Sequence, residues 1–153
     1  MQSNLLFQYC QKLIILSASK QSVLLARRKD EADYNGVYSF IGGKMETTDE
    51  SMLLGMKREK SEEIGPEAVV AVYPHETYNL LFRKKDGNSM ILPHVAGVFV
   101  SGDITLSDEY SDYVWAPITT LDTFEPKIDN IPQLTDWAVQ KVAAVDNSQL
   151  EEI

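Results

Sequence analysis

The sequence predicts an α/β fold in which a mixed sheet carries helices on its faces. Three observations lead to this prediction: short segments rich in Val, Ile and Leu recur along the chain, a segment with helical periodicity lies between them, and a second such segment comes near the end. Strands on both sides of a helix favour a sheet covered by helices. The 153 residues suffice for one core, and we expect a single domain over residues 1–153.

Strands dominate the first part of the chain. Branched apolar residues fill two segments, and the polar stretch between them indicates a hairpin turn. In chain order we expect strand 5–16, turn 17–21, strand 22–28, loop 29–35 and strand 36–41. The last strand ends at Gly42 and Gly43, which allow the backbone to turn tightly and to approach a ligand.

The best-defined helix is predicted over residues 50–64. Apolar residues recur there near the helical period, with Thr48 or Asp49 available as the N-cap and Gly65 as the C-terminal stop. Pro66 cannot continue the helix.

The second half returns to strands and closes with a helix. Alternating and apolar segments predict strands over 68–73, 77–82, 90–100 and 112–115. Pro132 in the first turn and a regular apolar side predict a helix from about residue 130 to about residue 145. We expect the tail from Asp146 onwards to fray.

Three glutamates of the first helix carry the strongest functional signal. At about 100° per residue, Glu62 and Glu63 lie roughly 60° and 40° to either side of Glu59, so all three share one face. Like charges at this spacing each destabilise a helix by about 0.2–0.5 kcal/mol. A bound cation would reverse this repulsion. Oxygen-only ligands favour a hard divalent cation, Mg²⁺ first and Mn²⁺ as a substitute.

Composition limits the class of partner. The formal net charge of -9 argues against an extended nucleic acid, but a small phosphate ligand remains compatible with it. The chain has no apolar run near the roughly 18 residues that span a bilayer, and residues 1–4 lack the order of a signal peptide. The single cysteine, Cys10, lies in an apolar run and is expected to be a buried thiol. These features favour a cytoplasmic protein without a membrane partner.

The order of residues around the glutamates resembles the Nudix box of the MutT-like Nudix hydrolase family. The family pattern is Gly-x5-Glu-x7-Arg-Glu-U-x-Glu-Glu-x-Gly-U, where U is a bulky apolar residue. Its second part fits position by position in this chain, as Glu50, Arg58-Glu59, Glu62-Glu63 and Gly65. The strand that ends in Gly42-Gly43-Lys44 resembles the usual entry to the box.

Three features depart from the family pattern. Six residues rather than five separate Gly43 from Glu50, so the intervening loop is one residue longer. Lys60 and Pro66 occupy positions where the family prefers apolar residues. We expect Lys60 to lay its methylenes on the core while its ammonium reaches outward.

The resemblance implies a Nudix-like α/β/α sandwich and hydrolysis of a nucleoside diphosphate linked to another moiety, as in a nucleoside triphosphate or a nucleotide sugar. It implies metal ligation by Glu59, Glu62 and Glu63, with the carbonyl of Gly42 or Gly43 nearby. Glu50 and Arg58 are similar to a structural pair that fixes the loop against the helix.

Further residues are candidates for the proton acceptor and for substrate contact. The proton acceptor is Glu59 or Glu109, the latter resembling a distal glutamate that some members use as base or ligand. Arg27 and Arg28 end a strand directed at the same region, so one of them is expected to hold a phosphate. Lys44 is a candidate for substrate contact.

Two other classes of protein compete with the enzyme. One is a Nudix-like module that binds a small nucleotide without turning it over, and the other is an acidic protein-interaction domain. The intact set of carboxylates favours the enzyme over the first, and the register of the box is unexplained by the second. Paired subunits are common among similar proteins, which makes a homodimer a further expectation.

Overall fold

The chain folds into a mixed sheet with helices packed against it. A computed structural model describes residues 6–153. Its elements in that range are β1 Gln8–Leu16, β2 Ser22–Arg28, β3 Tyr38–Ser39, β4 Ile41–Lys44, α1 Met52–Ile64, β5 Val69–Arg83, β6 Ser89–Ser101, β7 Tyr110–Pro117, α2 Ile131–Ala144 and β8 Glu151–Glu152, with short 3-10 helices at Ile118–Thr123 and Asn147–Gln149. Leu5, at the start of the first predicted strand, and residues 1–4, considered for a signal peptide, lie outside the described residues.

Strand β1 lies near the centre of the sheet. It pairs parallel with β6 and antiparallel with β2 and β4. The longest path through the sheet is β3-β2-β1-β6-β5-β8, while β4 and β7 pair with β1 and β2 respectively. Strand β1 is therefore flanked by the glycine-containing β4 on one side and by β6, followed by β5, on the other.

Side chains of β1 alternate between two apolar cores. Leu13 and Ile15 join the core that contains Met56 of α1, whereas Ile14 and Leu16 join the core that contains the apolar side of α2. Successive strand residues point to opposite faces of a sheet, so one strand can serve both cores. Helices α1 and α2 thus cover opposite faces, and the predicted α/β/α sandwich with a mixed sheet is confirmed. Neither of these helices is both long and apolar enough to cross a membrane.

Helix α1 starts two residues later than the sequence predicts. Its N-cap is Ser51, whose hydroxyl accepts a hydrogen bond from the backbone N–H of Leu54 at 3.1 Å. The expected caps, Thr48 and Asp49, lie in the preceding loop. The predicted C-terminal stop is correct, since Gly65 follows the last helical residue with a φ of 94°, in the region that glycine favours.

Long-range pairing changed three other predicted elements. The segment 36–41 is split between β3 and β4, because β3 pairs with β2 and β4 pairs with β1. The two strands expected over 68–73 and 77–82 form the single strand β5, whose register shifts between Tyr73 and Tyr78. The tail was expected to fray, but β8 pairs with β5 and Ile153 is only 4% exposed.

Lys60 does not reach outward as expected. The residue is only 1% exposed, and its ammonium donates a 2.7 Å hydrogen bond to the buried carbonyl of Ala68. Burial lowers the pKa of Lys60, and the nearby charge of Lys57 adds to that effect. The other departure, Pro66, lies exposed in the turn after α1.

Candidate active site

A cavity of about 850 Å³ lies beside the helix that carries the glutamates. One part of its wall is acidic. This part is formed by β4, by α1, by the loop after β4 and by the loop before β7. The acidic residues there are Glu46, Glu59, Glu62, Glu63 and Glu109. The wall formed by β5, β6 and the start of α2 is mainly apolar, with Leu80, Phe82, Leu92 and Ile131. Strand β1 runs between these two parts of the wall, so one cavity combines a carboxylate-rich region with an apolar region.

Glu63 is the most enclosed of the glutamates. It is 3% exposed, and its carboxylate accepts a 2.6 Å hydrogen bond from the backbone N–H of Gly42. The hydroxyl of Tyr110 donates to the same carboxylate at 3.0 Å. Burial raises the pKa of Glu63 to about 7, although the charge of Lys12 and both hydrogen bonds oppose this shift. The group is therefore poised between its neutral and charged forms near neutral pH.

Glu59 and Glu62 share a guanidinium partner. A terminal nitrogen of Arg58 donates to Glu59 at 2.8 Å and lies 3.3 Å from Glu62. Glu62 is largely exposed, whereas the side chain of Glu59 is only 12% exposed. Burial raises the pKa of Glu59, and the charge of Arg58 opposes this effect. The guanidinium thus neutralises part of the like-charge repulsion that the helical spacing creates.

Arg58 is braced by Asp49, and not by Glu50 as the sequence comparison predicts. Both oxygens of Asp49 accept hydrogen bonds from the guanidinium, each at 2.9 Å. Glu50 is exposed, and the ion pairs of Arg58 do not include it. The loop holds one extra residue, which brings the preceding carboxylate onto the arginine. The side-chain hydrogen bond from Arg58 is the main reason that the pKa of Asp49 falls to about 2.

The two glycines lie in a strand rather than in a turn. Both belong to β4, where Gly42 faces Lys12 and Gly43 faces Gln11 across the antiparallel ladder. A Cβ atom on Gly42 would lie 1.9 Å from the carbonyl oxygen of Gln11, and one on Gly43 would lie 1.8 Å from the Glu59 carboxylate. Glycine is therefore needed here for close approach, and at Gly42 also for a φ of 143°.

The remaining expected site residues divide into two groups. Arg28, Lys44 and Glu109 line the cavity, and the side chain of Arg28 also lies 3.4 Å from Glu31. Arg27 is absent from the lining: its guanidinium donates to the carbonyl of Gly36 at 3.0 Å. The expectation that one arginine of this pair reaches the site is consistent with the position of Arg28.

Three site residues were missed by sequence reasoning. The sequence patterns suggest Asp49 only as a helix cap, and they indicate no role for Tyr110 or Lys12. A signal existed for Lys12, because it is a lone cation within an apolar strand. No local signal identifies the other two, since their partners are nine and 47 residues away in sequence.

The carboxylates match a hard divalent cation in chemistry but do not form a preassembled cage. Within residues 6–153, no three His, Cys, Asp or Glu side chains are placed to hold a metal ion together. Arg58 hydrogen-bonds with Glu59 and Glu62, while the Glu63 carboxylate accepts hydrogen bonds from Gly42 and Tyr110. All donors are oxygens, and the space kept open by Gly43 lies directly against Glu59. In its chemistry, the donor set therefore fits a hard divalent cation.

Comparison with known proteins identifies the class of protein to which this fold and site belong. Residues 12–138 match the model of the NUDIX domain. Because the match covers most of the chain, the protein belongs to the Nudix hydrolase family, whose members act on phosphate anhydrides and generally use divalent metals.

The similarity to individual proteins is narrower. CTP pyrophosphohydrolase of Escherichia coli (strain K12) is 45% identical over 51 residues, which are 33% of this chain and 37% of that protein. The MutT protein from Methanosarcina mazei Go1 has a TM-score of 0.69 at 20% identity, covering 91% of this chain and 96% of that one. The NUDIX domain of Shewanella oneidensis NrtR, complexed with ADP ribose, has a TM-score of 0.69 at 18% identity, covering 90% and 89%. At these identities the two structures show a shared fold.

Proposed function

We propose that the protein is a metal-dependent pyrophosphohydrolase that cleaves a nucleoside diphosphate linked to another moiety. One observation carries the proposal: Glu59, Glu62 and Glu63 open on the same cavity as an apolar wall that suits a nucleoside. A diphosphate linkage needs its negative charge neutralised, and a nucleoside needs apolar contact. One cavity meets both needs.

The substrate class that we favour is a nucleoside triphosphate, with CTP as the first candidate. Support comes from the E. coli CTP pyrophosphohydrolase, although the similarity covers only about a third of each chain. Hydrolysis between the α- and β-phosphates would release a nucleoside monophosphate and pyrophosphate. A nucleotide sugar is the second candidate within the same reaction class.

Three of the glutamates that line the cavity would bind the metal ion. We assign Glu59, Glu62 and Glu63 to holding Mg²⁺, or Mn²⁺ in its place, with a carbonyl of Gly42 or Gly43 nearby. When bound, such a metal neutralises phosphate charge and lowers the pKa of water. Arg58 positions two of the three carboxylates.

Other side chains would hold the substrate and accept the proton of the attacking water. Arg28 and Lys44 line the cavity and offer cationic donors for phosphate oxygens. Two carboxylates are candidates for the proton acceptor. Glu59 is the more buried of them, whereas Glu109 is exposed and enters the cavity from the loop before β7. The Glu109→Gln variant distinguishes them, because loss of the acceptor lowers kcat and changes its pH profile, whereas an unchanged kcat and profile leave Glu59 as the acceptor.

The alternative is a module that binds a nucleotide without cleaving it. The ADP-ribose complex of the NrtR domain favours this alternative, and so does the absence of a preassembled metal cage within residues 6–153. The complete set of carboxylates favours the enzyme.

A product assay separates the two functions. Purified protein is incubated with Mg²⁺ and a panel of nucleoside triphosphates, nucleotide sugars, ADP-ribose and dinucleoside polyphosphates, and products are identified by chromatography. We expect release of a nucleoside monophosphate from at least one substrate, and its loss in Glu63→Gln. Binding without cleavage of any substrate, or full activity of the variant, contradicts the proposal. Heavy-oxygen water then identifies the phosphorus that is attacked.

A further inference from the structure

Lys12 is a lysine in the middle of the central strand. It pairs across the ladder with Gly42 of β4 on one side and with His94 of β6 on the other. Its neighbours in β1, Gln11 and Leu13, are buried, whereas Lys12 is partly exposed and lines the cavity. A charged side chain at the centre of a sheet loses much of its hydration, so its position needs an explanation.

Lys12 differs from the other cationic side chains that line the cavity, because those side chains have an acidic partner or are exposed. Arg28 lies 3.4 Å from Glu31, and Lys84 lies 3.3 Å from Asp86. Lys44 is exposed at the acidic end. Among residues 6–153, the Lys12 ammonium takes part in no hydrogen bond or ion pair with a protein group.

The histidine beside Lys12 does not compete as a second cation. His94 is 4% exposed, and its Nδ1 lies 3.1 Å and 3.0 Å from the carbonyl oxygens of Tyr78 and Leu92. Only a protonated Nδ1 can satisfy these two acceptors. Burial lowers the pKa of His94 to about 4, so the ring is neutral at physiological pH. Lys12 therefore supplies the charge on this part of the cavity floor.

The position of Lys12 along the cavity indicates which chemical group of a substrate it would bind. On the β4 side lie the carboxylates, because Lys12 faces Gly42 across the ladder and the N–H of Gly42 donates to the Glu63 carboxylate at 2.6 Å. On the β6 side, His94 packs edge-on against Phe40 with ring centroids 6.0 Å apart. The ammonium thus lies between the region suited to reaction and the region suited to a nucleoside.

We propose that Lys12 binds the phosphate group attached directly to the nucleoside, and so fixes which end of the substrate enters the apolar region. This inference rests on the proposed function, and it adds a substrate-binding residue outside the Nudix box. The ammonium can donate up to three hydrogen bonds, none of which is accepted by a protein group within residues 6–153, and a phosphate provides charged oxygens that can accept them. A base edge offers weaker, uncharged acceptors.

The test measures binding of nucleoside monophosphates, which contain no anhydride to cleave. Calorimetry with excess Mg²⁺ compares the four common monophosphates with their nucleosides. The proteins are wild type, Lys12→Met, Lys12→Arg and the control Lys20→Met, which changes an exposed lysine in the turn between β1 and β2. Hydrogen bonds to charged groups contribute about 1.5–3 kcal/mol, or about 10- to 100-fold in affinity.

For the base that binds best, we expect wild type and Lys20→Met to prefer the monophosphate over its nucleoside. Lys12→Met should bind the monophosphate about 10- to 100-fold more weakly and bind the nucleoside unchanged, while Lys12→Arg retains part of the preference. The proposal is overturned if wild type shows no preference, if Lys12→Met keeps it, or if that variant loses nucleoside binding equally. If the proposed function is wrong, the outcome is different: the protein then binds a nucleoside triphosphate but does not hydrolyse it.

Discussion

Replacement of Glu63 by Gln tests whether burial controls the charge of the central carboxyl group. Gln keeps the shape of the side chain and one acceptor oxygen for the N–H of Gly42, while its amide faces the hydroxyl of Tyr110, which can accept as well as donate. The substitution therefore removes the titration with little change in packing. Wild type and variant should differ mainly in how their stability depends on pH.

The magnitude follows from the two pKa values of Glu63. Its ordinary value is 4.5, and burial in the folded protein raises it to about 7. Between these values the unfolded chain has lost the proton while the folded protein still binds it, so rising pH favours unfolding. The stabilisation from the proton is complete below 4.5 and is lost as the pH rises through 7. At about 1.4 kcal/mol per pH unit, wild type should lose about 3 kcal/mol relative to the variant.

The assay is urea unfolding between about pH 4 and pH 8 in EDTA, so that no divalent ion competes with the proton. Glu62→Gln is the matched control, because its side chain is 58% exposed and its substitution should leave the pH-dependent loss unchanged. If the unfolding free energies of wild type and Glu63→Gln run parallel over this range, the proposed effect of burial is refuted.

Three further substitutions test the brace, the glycine and the C-terminal strand. Asp49→Asn should lower kcat/KM about 10- to 100-fold, because it releases the arginine that orients the glutamates. Glu50→Gln is the control and should leave kcat/KM nearly unchanged. Equal effects of the two substitutions would contradict the assignment of Asp49 as the partner that braces Arg58. Gly43→Ala places a Cβ 1.8 Å from a carboxylate oxygen of Glu59, which must then move. We therefore expect Mg²⁺ to bind more than tenfold more weakly, as measured by calorimetry. If the variant binds Mg²⁺ with wild-type affinity, the close contact is excluded. Ile153→Ala should cost about 2–5 kcal/mol in urea unfolding because the side chain is 4% exposed, while its exposed neighbour Glu152→Ala should cost little; matching values would mean that the tail frays after all.

Much of the fold was predictable from the sequence because it depends on local patterns of apolar and polar residues. The first two strands and their hairpin, both helices and the glycine stop of α1 were placed within a few residues of their positions. Period-two and helical periodicities report which face of an element is buried, and that information is local. The common face of Glu59, Glu62 and Glu63 was predictable for the same reason, since helix geometry fixes the angles between them.

Other features were not predictable because they depend on contacts between distant segments. The N-cap prediction failed at Asp49, whose carboxylate binds Arg58 instead and leaves Ser51 to cap the helix. The expected outward course of the Lys60 ammonium failed because a buried carbonyl lies within its reach. In both cases local preference was overridden by a partner brought close by folding.

The sequence alone determined the candidate site residues: a helix with three glutamates on one face, an arginine beside them and two glycines before it. Tertiary structure decided which partners those residues have. It placed Asp49 rather than Glu50 on the arginine, enclosed Glu63 enough to raise its pKa, and brought Lys12 to the floor between carboxylates and apolar side chains. The physical reason is that spacing along one element is set by its own backbone, whereas desolvation and ion pairing depend on where the whole chain places its neighbours.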